Sequence, residues 1–167
     1  IEYANTKIYE LSQNNKQLQG MGSTVVAAGI SKSALYAFNV GDSRLYIVRD
    51  KLIQITKDHS LVEDEVAKGH ITRGSEEYKL NKKYITRAVG VEREVDVDIF
   101  EVELLEGDKI LLCSDGLSNM IDDKEIYDII SKSKSLDSAV DALIETANEK
   151  GGTDNISAIL INYEREV

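Results

Sequence analysis

Apolar positions recur along this chain at two spacings, and the switch between them separates helices from strands. Ile1, Ala4, Ile8 and Leu11 follow helical spacing, which predicts an amphipathic helix from the first residue, ended by Gly20-Met21-Gly22. An apolar run from Thr24 to Ile30 predicts a strand, followed by a polar break at Ser31-Lys32-Ser33. Leu35 to Val40 and Leu45 to Val48 predict two more strands around Gly41-Asp42-Ser43. After the turn Arg49-Asp50-Lys51, residues Leu52, Ile53 and Ile55 make a brief fourth. Connections this short favour an antiparallel meander over parallel βαβ units.

Ser60 with Glu63 three positions on has capping-box spacing and starts a helix to about Gly69. Residues 70 to 83 are polar with little periodicity, the pattern of a mobile surface excursion. Val95, Val97 and Ile99 alternate, then Phe100, Val102 and Leu104 alternate in the opposite phase, so a bulge is needed to keep one face. Glu106-Gly107-Asp108 turns the chain into the apolar run Ile110 to Cys113. Asp122 with Glu125 caps a helix to about Ser131, and Ser135 starts another with Ala139, Val140, Leu143, Ile144 and Ala147 as its stripe. A last strand runs from about Asn155 to Asn162. About seven strands and four helices, with the helices grouped at the ends of an antiparallel array, make an α+β pattern.

Composition narrows the class. At 167 residues, 42% apolar and 30% charged, the chain suits a single soluble domain. No apolar stretch approaches the roughly 20 residues of a membrane helix. A formal net charge of -10 argues against nucleic acid, which needs clustered Lys and Arg. The single cysteine, Cys113, excludes an internal disulfide framework, and inside an apolar strand it reads as a buried, inert thiol. A cytoplasmic location follows. Because Ile1 stands inside a helical repeat with no methionine or capping residue ahead of it, the chain reads as part of something longer.

The candidate chemistry lies at two carboxylates. Asp115 follows the run Ile110 to Cys113 in Ser114-Asp115-Gly116, and Asp154 precedes the run Ile156 to Ile161 in Gly151-Gly152-Thr153-Asp154-Asn155. Either motif alone is ordinary turn chemistry. Together, at strand ends that can share one rim of a sheet, they suit a hard divalent cation, since oxygen ligands select magnesium, manganese or calcium. Asp42 is a third candidate: Gly41-Asp42-Ser43 is either a hairpin turn, or part of one continuous strand that points the carboxylate inward. Gly20-Met21-Gly22 follows a helix and opens a strand, the reverse of a phosphate-cradling loop. His59, His70 and Cys113 are too few for a zinc site, and no Ser-His-Asp or Cys-His arrangement stands out. Lys57-Asp58-His59-Ser60 reads as a strand-to-helix link, and Arg44 and Arg87 are candidate phosphate binders.

Six motifs in one order carry a resemblance: Gly20-Met21-Gly22-Ser23-Thr24, Val40-Gly41-Asp42-Ser43-Arg44, Thr56-Lys57-Asp58-His59-Ser60, Ile85-Thr86-Arg87-Ala88-Val89-Gly90, Leu112-Cys113-Ser114-Asp115-Gly116-Leu117 and Gly151-Gly152-Thr153-Asp154-Asn155-Ile156. From about residue 20 onward the series resembles the bacterial form of the metal-dependent PP2C-type (PPM) serine/threonine protein phosphatases. The resemblance implies an antiparallel β-sandwich flanked by helices and a centre of two, or three, Mn2+ or Mg2+ ions. It implies that Asp115 and Asp154 ligate the second metal, that Asp42 helps to hold a weaker third metal that Asp115 also touches, and that residues 59 to 85 form a flap. The substrate implied is a phosphorylated protein, with a cognate Ser/Thr kinase as a further partner. The arginine-bearing start of the family pattern and its Asp-Gly-x-Gly-Gly strand have no counterpart here, so the chain matches the C-terminal two thirds of such a domain, and its own turnover should be low. The competing class is a non-catalytic PP2C-like binding or regulatory module, with self-association through an exposed sheet edge.

Overall fold

The computed structural model describes residues 1–165, apart from the side chain of Lys79. The chain divides into two compact units, one of Ile1–Val25, Asn39–Asp42 and Lys57–Asp98, the other of Val26–Phe38, Ser43–Thr56 and the chain from Ile99 onward. Most strands belong to the second unit. There β1 (Val25–Ser31), β2 (Ala34–Val40) and β5 (Asp98–Glu103) form a three-stranded sheet in the order β1-β2-β5. A four-stranded sheet has the order β4-β3-β6-β7, with β3 (Arg44–Val48), β4 (Leu52–Gln54), β6 (Lys109–Cys113) and β7 (Ala158–Asn162). Its neighbours are all antiparallel.

The apolar runs of β3 and β6 are continuous because both faces of this sheet are covered. Leu45, Ile47, Ile110 and Leu112 face the other sheet and pack with Leu35, Ala37, Phe100 and Val102. One residue out of phase, Tyr46, Val48, Leu111 and Cys113 pack against the helices, through Leu117, Ile121, Ile126, Ile130, Leu143 and Ala147. Those helices are α4 (Asp115–Ser118), α5 (Asp123–Lys132) and α6 (Leu136–Glu149). The predicted caps hold: Asp122 accepts from Glu125 N, and Ser135 from Ser138 N. Cys113 is buried.

The turn at Gly107 hides an ion pair that periodicity does not announce. Asp108 has a side chain 1% exposed and lies between Arg49 Nε at 2.8 Å and Nη2 at 2.7 Å. Its Oδ2 also accepts from Leu105 N at 2.8 Å. The guanidinium, aided by that amide and opposed by burial, holds the Asp108 carboxyl below the usual carboxylate range.

The first unit holds α1 (Glu2–Asn14), α2 (Leu61–Ala67) and α3 (Glu76–Asn81). The packed face of α1 is rotated from the predicted one: Leu11 is 54% exposed, whereas Asn5 and Ser12 are buried. Asn5 is inside because its amide is fully used, accepting from Gly90 N at 2.6 Å and donating to Glu92 O and Arg93 O at 3.1 Å each. Gly22 gives close approach rather than a phosphate cradle, since a Cβ there would lie 2.7 Å from Val91 Cγ2. Ser60 caps α2 as predicted, but Glu63 does not close the box, because its carboxylate accepts from the Tyr78 hydroxyl at 2.6 Å and pairs with Arg73.

Three further expectations change. The segment 70 to 83 contains α3, capped by Ser75 on Tyr78 N. The phase slip near residue 99 needs no bulge: β5 starts at Asp98, so Val95 and Val97 lie before it, and Ile99 is 62% exposed while Phe100 and Val102 turn inward. Finally, β2 and β3 lie in different sheets. Gly41-Asp42-Ser43 is therefore neither a hairpin turn nor mid-strand but a crossover, and the meander is broken there.

Candidate metal centre

Asp115 is the first residue of α4, two positions past the end of β6, and Asp154 lies in the loop between α6 and β7. Their segments are clamped together. Ser114 donates its N–H to Ser157 O at 3.1 Å and its Oγ–H to Asn155 O at 2.9 Å, while Oγ accepts from Ser157 N at 3.0 Å. Gly116 completes the clamp. A Cβ on it would overlap Asn155 O, lie 2.9 Å from Asn155 C and 3.4 Å from Asp154 C, so the two backbones touch where any side chain would separate them.

Each carboxylate has a local partner. Asp115 Oδ2 accepts from Asn119 Nδ2 at 3.0 Å, one helical turn on. Asp154, which is exposed, accepts through Oδ1 from Asn155 N at 2.7 Å. These bonds limit how the carboxylates turn. Ser114 and Gly116 stood in the motif around Asp115 with no role of their own assigned, and Asn119 was not singled out.

Asp42 belongs to the other unit and sits half-buried in the crossover. Nearby, His59 Nε2 lies 3.1 Å from Asp98 Oδ2, without the alignment of a formed hydrogen bond. Arg87 Nη1 donates to Asp98 Oδ1 at 2.6 Å and to Asp96 O at 3.0 Å. Burial alone would raise the Asp98 carboxyl, but His59 and Arg87 outweigh it and hold it below its ordinary value. Arg44 Nη1 donates to the Tyr46 hydroxyl at 2.9 Å. Both arginines named as phosphate candidates thus have partners inside the protein.

Among the described residues, no group of three or more His, Cys, Asp and Glu side chains gathers as a metal shell. The clamped corner brings the segments of Asp115 and Asp154 together, and both side chains carry only oxygen donors. That fits a hard ion such as magnesium or manganese, which keeps several waters and takes one or two carboxylates from the protein. No helix among the described residues is long and apolar enough to cross a membrane.

Comparison with known proteins supplies the wider frame. The profile of the Protein phosphatase 2C family matches residues 2–156. The chain is 40% identical over 162 residues to the serine/threonine phosphatase stp of Listeria welshimeri serovar 6b, covering 96% of this chain and 64% of that protein. The chain thus spans a little under two thirds of that relative's length. A crystal structure of a bacterial serine phosphatase superposes with a TM-score of 0.92 at 32% identity, covering 99% of this chain and 68% of that one. The catalytic domain of the phosphatase PstP, solved in complex with 2 manganese ions, gives a TM-score of 0.82 at 36% identity over 93% of this chain and 65% of that chain. With an antiparallel, helix-flanked α+β fold and a family profile that matches nearly its whole length, this chain belongs to the protein phosphatase 2C family.

Proposed function

We propose that this chain is part of a metal-dependent protein phosphatase domain acting on phosphoserine and phosphothreonine. Asp115 and Asp154 would hold one divalent cation, manganese or magnesium, of a two-ion centre, and Asp42 would contribute to a third, weaker site. The observation that supports this reading is the contact of Gly116 with the Asp154–Asn155 backbone, which brings together the segments that carry two acids 39 positions apart. When bound, the ions supply a Lewis acid for the phosphoryl oxygens and lower the pKa of the attacking water.

The chain's own contribution is position. Ser114 and Gly116 fix the spacing of the two segments, and Asn119 turns the Asp115 carboxylate. At a net charge of -10 the chain's field disfavours the approach of a phosphate group, and bound cations would offset it. The substrate must come from a Ser/Thr kinase, and the setting that fits is the cytoplasm. β7 ends its sheet, and Ile159 on it is 59% exposed, which makes that edge the place for self-association.

In a complete phosphatase domain that contains this chain, release of phosphate from a phosphothreonine peptide is expected to require manganese or magnesium, whereas the chain alone should turn over little. Asp115→Asn should lower that release by about 100-fold or more, in the range seen when a group that positions reacting atoms is lost. Equal rates in the variant, or undiminished hydrolysis in chelator, would sink the reading.

A further inference from the structure

The link around His59 does more than cap backbone. His59 is 7% exposed and holds Gly41 twice. Its ring Nδ1 accepts the Gly41 N–H at 3.0 Å, and its own N–H donates to Gly41 O at 2.9 Å. Asn39 Nδ2 donates to the same carbonyl at 3.1 Å and to Lys57 O at 2.9 Å. On the other side, the His59 carbonyl accepts from Thr86 N at 2.8 Å, and Nε2 faces the Asp98 carboxylate that Arg87 holds. With Nδ1 accepting the Gly41 amide, Nε2 is the ring nitrogen that faces Asp98.

Gly41 needs this support. Its φ is +107°, and a Cβ there would lie 2.6 Å from Thr24 Cβ. The crossover is held in that shape by its neighbours rather than by local preference. Asp42 is the next residue, so the direction of its side chain follows from how Gly41 is held.

We propose that His59 is a positioning residue for Asp42: by accepting the Gly41 amide it sets the backbone that aims this carboxylate at a divalent cation. The inference rests on the reading of Asp42 as a ligand of a weak metal site. It assigns His59 no contact with metal or substrate.

Manganese alone, titrated into the whole chain and followed by the electron paramagnetic resonance signal of the free ion, tests it alongside thermal melts. Asp42→Asn should weaken the low-affinity site, and His59→Ala should weaken it roughly 10-fold, as for residues that orient metal ligands. His59→Asn, whose Oδ1 can stand where Nδ1 was, should restore it. In the Asp42→Asn background, His59→Ala should weaken binding no further. If His59→Ala lowers only the melting temperature, or His59→Asn binds as poorly as His59→Ala, the ring merely packs, and the inference falls while the reading of Asp42 stands. If Asp42→Asn binds manganese like the wild type, the reading of Asp42 is wrong and the inference falls with it. Should the His59 variants not fold, the nitrogen–nitrogen coupling between the Gly41 amide and His59 Nδ1 in the wild type decides. A missing coupling overturns the inference, and an observed one supports it.

Discussion

Gly116→Ala is expected to damage this protein more than its single added methyl suggests. The glycine is in the first turn of α4, with a backbone that other residues adopt, so the effect is purely steric. The new Cβ would overlap Asn155 O and lie 2.9 Å from Asn155 C, and backbone atoms cannot rotate aside as a side chain can. The loop carrying Asp154 must move or α4 must tilt. Overpacking of this kind costs about 1–3 kcal/mol. The larger loss should be functional, because a shift of about 1 Å between groups that must converge costs about 100-fold in rate. Manganese affinity and the melting temperature should fall together. Gly29→Ala is the control: there the nearest neighbour is Phe38 Cε2 at 3.9 Å, and both quantities should stay near wild type. A Gly116→Ala protein with wild-type metal affinity would show that the clamp does not set the site.

Arg49→Met should give a large loss of stability from a position outside the site. It removes the bidentate partner of Asp108, a carboxylate whose side chain is 1% exposed, and leaves only the Leu105 amide to support the charge. Breaking a buried pair costs about 3–5 kcal/mol; with the Arg49 side chain 31% exposed, the low end, about 3 kcal/mol, is expected. The sign of its pH dependence is fixed. The Asp108 pKa is depressed in the folded state, so its contribution is complete above the unfolded value of about 3.9 and fades as pH falls through the folded value. Urea midpoints of wild type and Arg49→Met should therefore differ most near neutral pH and converge in acid below about pH 4. A constant difference across that range would assign the loss to packing of the arginine stem instead.

How much of this was legible from residue order depends on the kind of interaction. Strands β3 and β6 stood out because both faces are buried, which leaves runs such as Ile110 to Cys113 with no polar break. The caps at Ser60, Asp122 and Ser135 were legible because each satisfies a nearby backbone amide. Asp115 and Asp154 were legible as candidates because each borders an apolar run.

What was hidden was set by contacts distant in sequence. The face of α1 was misjudged because burial of Asn5 is secured by backbone groups at residues 90, 92 and 93. The crossover at Gly41 imitates a hairpin, since a short link between strands carries no mark of which sheet each strand joins. The helix α3 was lost in a run of charges, although Ser75 ahead of Glu76 and Glu77 is a usable start signal. Gly116 looked like turn chemistry, and only the approach of Asn155 reveals it as a spacer.

The central claim is that Asp115 and Asp154 share one ion. A manganese titration of the wild type, Asp115→Asn, Asp154→Asn and the double variant tests it directly, because effects at one shared site do not add. Each single variant should lose at least about 10-fold in affinity at the same site, and the double variant should be scarcely weaker than either. Losses that multiply in the double variant, or an Asp154→Asn protein that binds like the wild type, would mean that the two carboxylates serve different ends.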